Sequence, residues 1–256
     1  VTISLASVQG IPEVSVGDDL ARLIVDCAGA GALDTGTVLA IAHTLVSKAE
    51  GAVVRLADVE PGERALALAA EQGKDARVVE VVLEQSAEVM RQQNGVIVSR
   101  THHGLVCANA GVDSSNAPAP DSVVLLPRDP DASARAIRAR LAELGAGAGD
   151  RASAPAVVIT DTFGRAWRHG QTDVAIGIAG LAPLDDWRGR SDAAGLQLQA
   201  TWIAVADAVA AAADLARAKD SREPVVVIEG LQRFVTAEDG PGAAALIRPL
   251  AEDLFR

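Results

Sequence analysis

The chain has 256 residues, with 34 acidic against 23 basic side chains and a formal net charge of -11. That balance excludes the broad positive surface a nucleic-acid backbone demands, so no nucleic-acid partner is expected, although a local cationic pocket for a small anion is not excluded. Apolar residues make up 49%, too many for a disordered chain, and aromatics only 2%, so the core has to be packed with Val, Leu, Ile and Ala.

In chain order, residues 1–8 alternate weakly and predict a strand. A loop, GIPEVSVGDD, follows, and the N-terminal stretch VTISLASVQGIPEVSVGDDL as a whole lacks the basic head and continuous apolar core expected of a signal peptide. Leu20–Cys27 predicts a helix with the GDD segment as its acidic entry. Cys27 and Cys107 are too sparse for a disulfide framework and fit a reducing cytoplasm. Thr37–His43 is an apolar run that reads as a strand entering the polar loop TLVSKAEG, a switch point where a ligand can be held. A helical stretch over 61–71 opens at Pro61. Arg77–Arg91, apolar at 78, 79, 82, 83, 87, 89 and 90, predicts one amphipathic helix broken by Gly95. GVIVSRTHHGLVCANAGVD reads as two strands around a turn at RTHHG.

SVVLLPRDPDASARAIRARLAEL predicts a short strand ending at Pro127, then a helix over Ala134–Leu144 capped by Asp131 or Ser133. The glycine-rich run over 145–155 is a linker candidate, so one domain over 1–256 is expected, with two subregions joined there. A second strand-plus-loop unit, AVVITDTFGRAWRHGQTDVAIG, starts at Ala156. A long helix over Thr201–Lys219, a strand at PVVVIEG and a tail of short helices complete the chain. The run TWIAVADAVAAAADL is broken by two aspartates and falls short of the ~20 apolar residues that span a bilayer, so no membrane partner is expected. Strands and helices mix without a β-α-β rhythm, which predicts an α+β (mixed α/β) fold.

No GxxxxGK[ST] or GxGxxG loop is present, and HExxH, serine-elbow and zinc-ribbon patterns are absent. Three clusters can carry chemistry. Asn109, Asp113, Ser114, Ser115 and Asn116 fit an Asx-rich turn, and equally fit hard oxygens offered to Mg2+ or Mn2+. Asp161 and Thr162 follow the apolar run AVVI, and Arg165, Arg168 and His169 come soon after; a solvated turn is the bland alternative, a phosphate or carboxylate site the sharp one. Ser47, Lys48 and Glu50 form the third cluster, where a surface salt bridge is the default. Together they suggest a metal-assisted phosphoryl site.

GIPEVSVGDDL, VSKAEG, HHGLVCANAGVDSSN, LLPRDPDASA, VVITDTFGRAWRHGQTDVAIG and LIRPLAEDLF together resemble the coenzyme F420-0:L-glutamate ligase family, in its stand-alone form without a C-terminal nitroreductase-like domain. The resemblance covers essentially the whole chain. It implies a family-specific fold without a P-loop, in an intertwined homodimer in the cytoplasm. It also implies a GTP-dependent ligase that adds L-glutamate to F420-0 through an acyl phosphate and extends a γ-linked tail. Two divalent ions, Mg2+ or Mn2+, would take part, with K+ or another monovalent cation assisting. By the same resemblance the nucleotide falls on Ile11, Pro12, Glu13 and Val14, on His43, Thr44 and Lys48, and on Asn116 and Lys219. The metals fall on Asp113, Asp161 and Thr162. Lys48, Arg165 and Arg168 are the cations expected to neutralise the transferred group. Two departures stand out. Arg217, Ala218, Lys219 and Asp220 replace the Met-Gly-Gln-Gly stretch of archaeal relatives, and Trp202 and Ala208 replace carboxylates. These departures keep two alternatives open, a related nucleotide-dependent amide ligase for a different acid and a degenerate nucleotide-binding protein.

Overall fold

A computed structural model describes residues 2–147, 153–218 and 220–253. The first elements are β1 (Ser4–Ser7), α1 (Leu20–Ala28), β2 (Val38–Ala42), α2 (His43–Ala49) and β3 (Val53–Arg55). They lead to α3 (Glu63–Gln72), α4 (Ala76–Glu84), β4 (Ser86–Gln93), β5 (Val96–Thr101), β6 (Val106–Ala108) and β7 (Ser122–Val124). The second half holds α5 (Pro130–Glu143), β8 (Ala156–Arg165), β9 (Arg168–Ala179), β10 (Leu184–Asp186), β11 (Trp202–Ala204), α6 (Val205–Ala216) and β12 (Val225–Glu229). The class is α+β, with several separate sheets.

The main lobe is a five-stranded sheet in the order β1-β12-β2-β8-β9, in which β2 and β8 run parallel and the other neighbours antiparallel. Its central strands are apolar at consecutive positions because both faces are covered. Side chains alternate across the sheet. Leu39, Ile41, Val157, Ile159, Val225 and Val227 therefore pack with Ile24 and Val25 of α1 and Ile137 and Leu141 of α5. Val38, Ala40, Val158, Val226 and Ile228 meet Ala206, Val209 and Ala213 of α6 on the opposite face. The second lobe is built from α3, α4, the antiparallel sheet β4-β5-β6 and the β3-β7 pair. Its core holds Leu68, Val79, Val82, Ile97 and Ala110.

Four elements differ from the sequence reading. TLVSKA continues β2 as helix α2 rather than as a loop, and the turn closes at Gly51, where φ is +73°. The expected helix over 77–91 stops at Glu84, and Ser86–Gln93 becomes a strand paired with β5. Ser86 Oγ donates to Val82 O at 2.6 Å, and Asn94-Gly95, both at positive φ, turn the hairpin. That dipeptide is a strong hairpin signal, and it outweighs a helical spacing that beyond Glu84 rests only on Ala87, Val89 and Met90. Helix α5 starts a turn earlier than expected, with Asp129 as N-cap and Pro130 in the first turn. Asp131 is thereby freed to accept from the backbone N–H of Ile178 and of Ala243, each at 2.8 Å. Finally, Trp202–Ala204 pair with β10, so α6 begins only at Val205. Residues 148–152 of the glycine-rich joint lie outside the described residues. Among the described residues no helix is long and apolar enough to cross a membrane.

Asp207 ties α6 to the sheet by accepting from the Ala175 N–H at 3.0 Å. Burial raises its pKa above the ordinary 3.8, and the hydrogen bond offsets only part of that. A carboxyl raised in this way favours the fold fully below its unfolded pKa and loses that contribution as pH rises through the folded value. Asp207→Asn keeps an oxygen for Ala175. It is expected to melt higher than the native chain at pH 7, with the gain shrinking toward about pH 4. Thermal melts of both proteins across that range check this.

Candidate active site

Register places Ala42 of β2 beside Thr160 of β8, so the chain beyond each position reaches the same end of the sheet. His43 follows the first and Asp161 the second. The His43 Nε2 lies 3.3 Å from Asp161 Oδ1, and its Nδ1 lies 3.5 Å from the buried Ser47 Oγ. Burial opposes a charge on His43, but the carboxylates of Asp161, Asp113 and Asp173 outweigh it and raise its pKa.

Asp113 arrives from the second lobe. Its backbone exchanges two hydrogen bonds with Val124, at 2.9 and 2.8 Å. Just before it, Asn109, Ala110 and Gly111 all adopt positive φ, at 51°, 52° and 72°. This left-handed run is held by Asn109 Oδ1, which accepts from Lys74 Nζ at 2.8 Å. Ser115 donates to Asp113 Oδ1 through both its N–H and its hydroxyl, at 2.7 Å each, so the cluster is an Asx turn that also presents a carboxylate.

Between the lobes lies a cavity of about 830 Å³. Ile11, Pro12, Glu13, Val14, His43, Thr44, Lys48, Asp113, Asn116, Asp161 and Thr162 all line it. Val14 is buried in the main core and anchors the loop that carries Glu13. Lys48 Nζ donates to Glu13 Oε1 at 2.5 Å, with the lysine side chain 12% exposed and the glutamate 72%. The pair is thus a half-buried salt bridge whose acidic partner faces solvent.

Three expected cations are not part of this lining as described. Arg165 and Arg168 sit near the tip of the β8-β9 hairpin, where Arg165 donates to His169 O at 2.5 Å; the strands reach past the cavity, and it is Phe163, Gly164 and Gln171 that line it. Lys219 lies outside the described residues. Trp202 and Ala208 are exposed and absent from the lining, and Trp202 packs under Arg188, 3.9 Å from the ring centroid. Asp173 and Arg217 also line the cavity and fall outside the set of site residues expected from sequence. Asp173 stands opposite Thr162 across the β8-β9 pair, and Arg217 reaches it from the end of α6. Asp173 is the last residue of the polar run RHGQTD, directly before the apolar VAIGIA, and that boundary is the signal that could have found it.

As hosts for a cation, Asp113 and Asp161 each keep an Oδ2 that no hydrogen bond or ion pair engages among the described residues. Among those residues no three His, Cys, Asp or Glu side chains form a ready metal cluster. A divalent ion here would complete its shell with Thr162, backbone or a bound phosphate, as Mg2+ commonly does. The oxygen-only donor set fits such an ion.

Fold and site define an α+β protein with an interlobe cleft lined by strand-end carboxylates and no glycine-rich phosphate loop. Within that class the assignment is specific: the chain belongs to the F420-0:Gamma-glutamyl ligase family, whose model matches residues 10–230. It is 46% identical over 247 residues to a protein of Methanopyrus kandleri named coenzyme F420:L-glutamate ligase, covering 95% of this chain and 94% of that one. Proteins of the same name from Methanothermobacter thermautotrophicus and Methanocaldococcus jannaschii are 43% identical over 258 residues and 38% over 225. The first match covers 99% of both chains, the second 88% of this chain and 86% of its relative.

The left-handed turn before Asp113 depends on Gly111, where an added Cβ would lie 2.7–2.9 Å from three side-chain atoms of Leu126 at a φ of +72°. Gly111→Ala is expected to cost roughly 1–3 kcal/mol and to lower Tm by several degrees. Calorimetry of the two proteins checks this.

Proposed function

We propose that this chain is a GTP-dependent ligase that joins L-glutamate to coenzyme F420-0 and extends the product as a γ-linked tail. The observation that carries the reading is the convergence on one cavity of Asp113 and Asn116 from one lobe with His43, Lys48, Asp161 and Thr162 from the other. The names of its relatives support the same acceptor and amino acid. GTP and free glutamate are cytoplasmic solutes, and a cytoplasmic homodimer goes with this reading.

A carboxylate is a poor electrophile, so the proposed route activates it first. An oxygen of the acceptor carboxylate attacks the γ-phosphorus of GTP, and GDP leaves. The glutamate nitrogen then attacks the acyl carbon, loses a proton and expels phosphate. Asp113 and Asp161 would hold one divalent ion, and Thr162 a second with help from the nucleotide phosphates. When bound, Mg2+ or Mn2+ screens phosphate charge and aligns the transferred group. K+ as an auxiliary ion belongs to the same proposal. Lys48 exchanges its exposed partner Glu13 for a phosphate oxygen as the 11–14 loop closes on the nucleotide. Asn116 and Thr44 offer neutral polar contacts to it. His43, itself part of the cavity lining, holds Asp161 through its Nε2, with Ser47 at its Nδ1.

The direct test mixes protein, GTP, Mn2+, L-glutamate and F420-0 and follows mass. Increments of glutamyl units with one GDP formed per unit are expected; GTP turnover without any glutamyl product would reject F420-0 as the acceptor. Lys48→Ala should weaken GTP binding about tenfold, the loss of one charge-assisted phosphate contact. Equal nucleotide affinity and equal turnover in that variant would remove Lys48 from the site.

A further inference from the structure

Asp173 is a carboxylate with 2% exposure that faces the cavity without belonging to the expected ligand set. Its Oδ1 accepts from the Thr162 hydroxyl at 2.7 Å. Its Oδ2 accepts from the Thr160 hydroxyl at 2.9 Å and is paired with the Nη2 of Arg217. Arg217 Nη2 also donates to Thr160 Oγ1 at 2.7 Å, and its Nη1 to Pro224 O at 3.1 Å. The guanidinium is thus held from two sides, its side chain 9% exposed, and supplies the countercharge that a buried carboxylate requires.

This arrangement sets the polarity of Thr162. A hydroxyl has one hydrogen, and an ionised carboxylate can only accept. With that hydrogen directed at Asp173, Thr162 meets any further partner as an acceptor. We propose that Asp173 and Arg217 are positioning residues that lock the Thr162 oxygen in its cation-accepting orientation toward the cavity. The inference rests on the ligase reading above, which gives Thr162 a divalent ion to meet.

The chemistry makes one substitution decisive. In Asp173→Asn, Arg217 remains a donor and still demands an oxygen at the Oδ2 position. The amide nitrogen then faces Thr162, which has to accept from it, and the Thr162 hydrogen swings toward the cavity and repels a cation. Adding Arg217→Met removes the demand, so the amide can turn and offer its oxygen to Thr162 again.

Mn2+ binding followed by the electron-spin signal of the free ion, with and without a non-hydrolysable GTP analogue, tests this without turnover. Asp173→Asn is expected to lose about 10-fold or more in affinity for the nucleotide-dependent ion, within the roughly 10–100-fold range of groups that orient ligands. The Asp173→Asn, Arg217→Met double variant is expected to recover most of it. Thr162→Val should show the same loss, and Asp173→Asn should add nothing in its background. Native-like affinity in Asp173→Asn, additive losses with Thr162→Val, or no recovery in the double variant would each overturn the proposal. If Asp173→Asn fails to fold by circular dichroism, the Thr162→Val comparison still decides, since unchanged affinity there overturns it. Native protein that binds no Mn2+ even with nucleotide overturns the ligase reading together with this inference. Native protein that binds it while the variants do too overturns the inference alone.

Discussion

The parallel pairing of β2 with β8 is the constraint from which the cleft follows. Every other neighbour in the main sheet is antiparallel, so their ends diverge in sequence direction, whereas these two strands stop side by side at Ala42 and Thr160. A side chain placed just beyond each is then a neighbour of the other, and His43 and Asp161 meet although they lie far apart in sequence. The strands can be apolar at consecutive positions because α1 and α5 cover one face and α6 the other. A sheet sealed on both faces is rigid, and polar groups can only emerge from its ends. The second lobe brings Asp113 to that end, and its backbone pairing with Val124 keeps the carboxylate from swinging with a loop.

Much of this was legible in the sequence where one local signal acted alone. The uninterrupted apolar runs at 38–42, 156–159 and 225–228 mark buried strands, and the amphipathic stretch after Asp19 marks α1. Errors arise where two signals overlap. Residues 86–93 satisfy a helical spacing, but Asn94-Gly95 favours a hairpin, and pairing with β5 supplies backbone partners that a helix end would have left to water. Asp131 and Ser133 are plausible caps by residue type, yet Pro130 is already a first-turn residue behind an Asp129 cap. Trp202–Ala204 look helical because the apolar run continues into α6, and only their pairing with β10, a long-range event, separates them.

The site divides along the same line. Residues at strand ends and in the Asx turn can be nominated, because a polar group directly after an apolar run has few places to go. Asp173 cannot be nominated as easily, since its meaning depends on Thr162 and Thr160 across a hairpin and on Arg217 from a helix 44 residues later. Conversely, Arg165 and Arg168 draw attention by charge alone. In space, two residues of extended strand carry a side chain roughly 7 Å further along, enough to take these guanidiniums beyond the cavity and into contacts of the hairpin itself.

The charges of the cleft then form a consistent system. At physiological ionic strength the Debye length is about 8 Å, so the net charge of the whole chain is largely screened from a ligand inside the cleft. What acts there is local: among the described lining residues, Glu13, Asp113, Asp161, Asp173 and Glu223 against Lys48, Arg217, Arg222 and a histidine raised toward its charged form. Lys48 and Arg217 already have acidic partners, and His43 is committed to Asp161. A phosphate brought near two carboxylates meets repulsion of about 4 kcal/mol per unit pair at 4 Å in a medium of intermediate polarity. With Lys48, Arg217 and His43 so engaged until a ligand displaces a partner, cations carried in by the nucleotide offset much of this repulsion, and under the proposed chemistry nucleotide and cations enter as one unit. Holding Thr162 as an acceptor serves the same end, because an oxygen that attracts the cation, and does not compete for the phosphate, makes the pair a better ligand than either member.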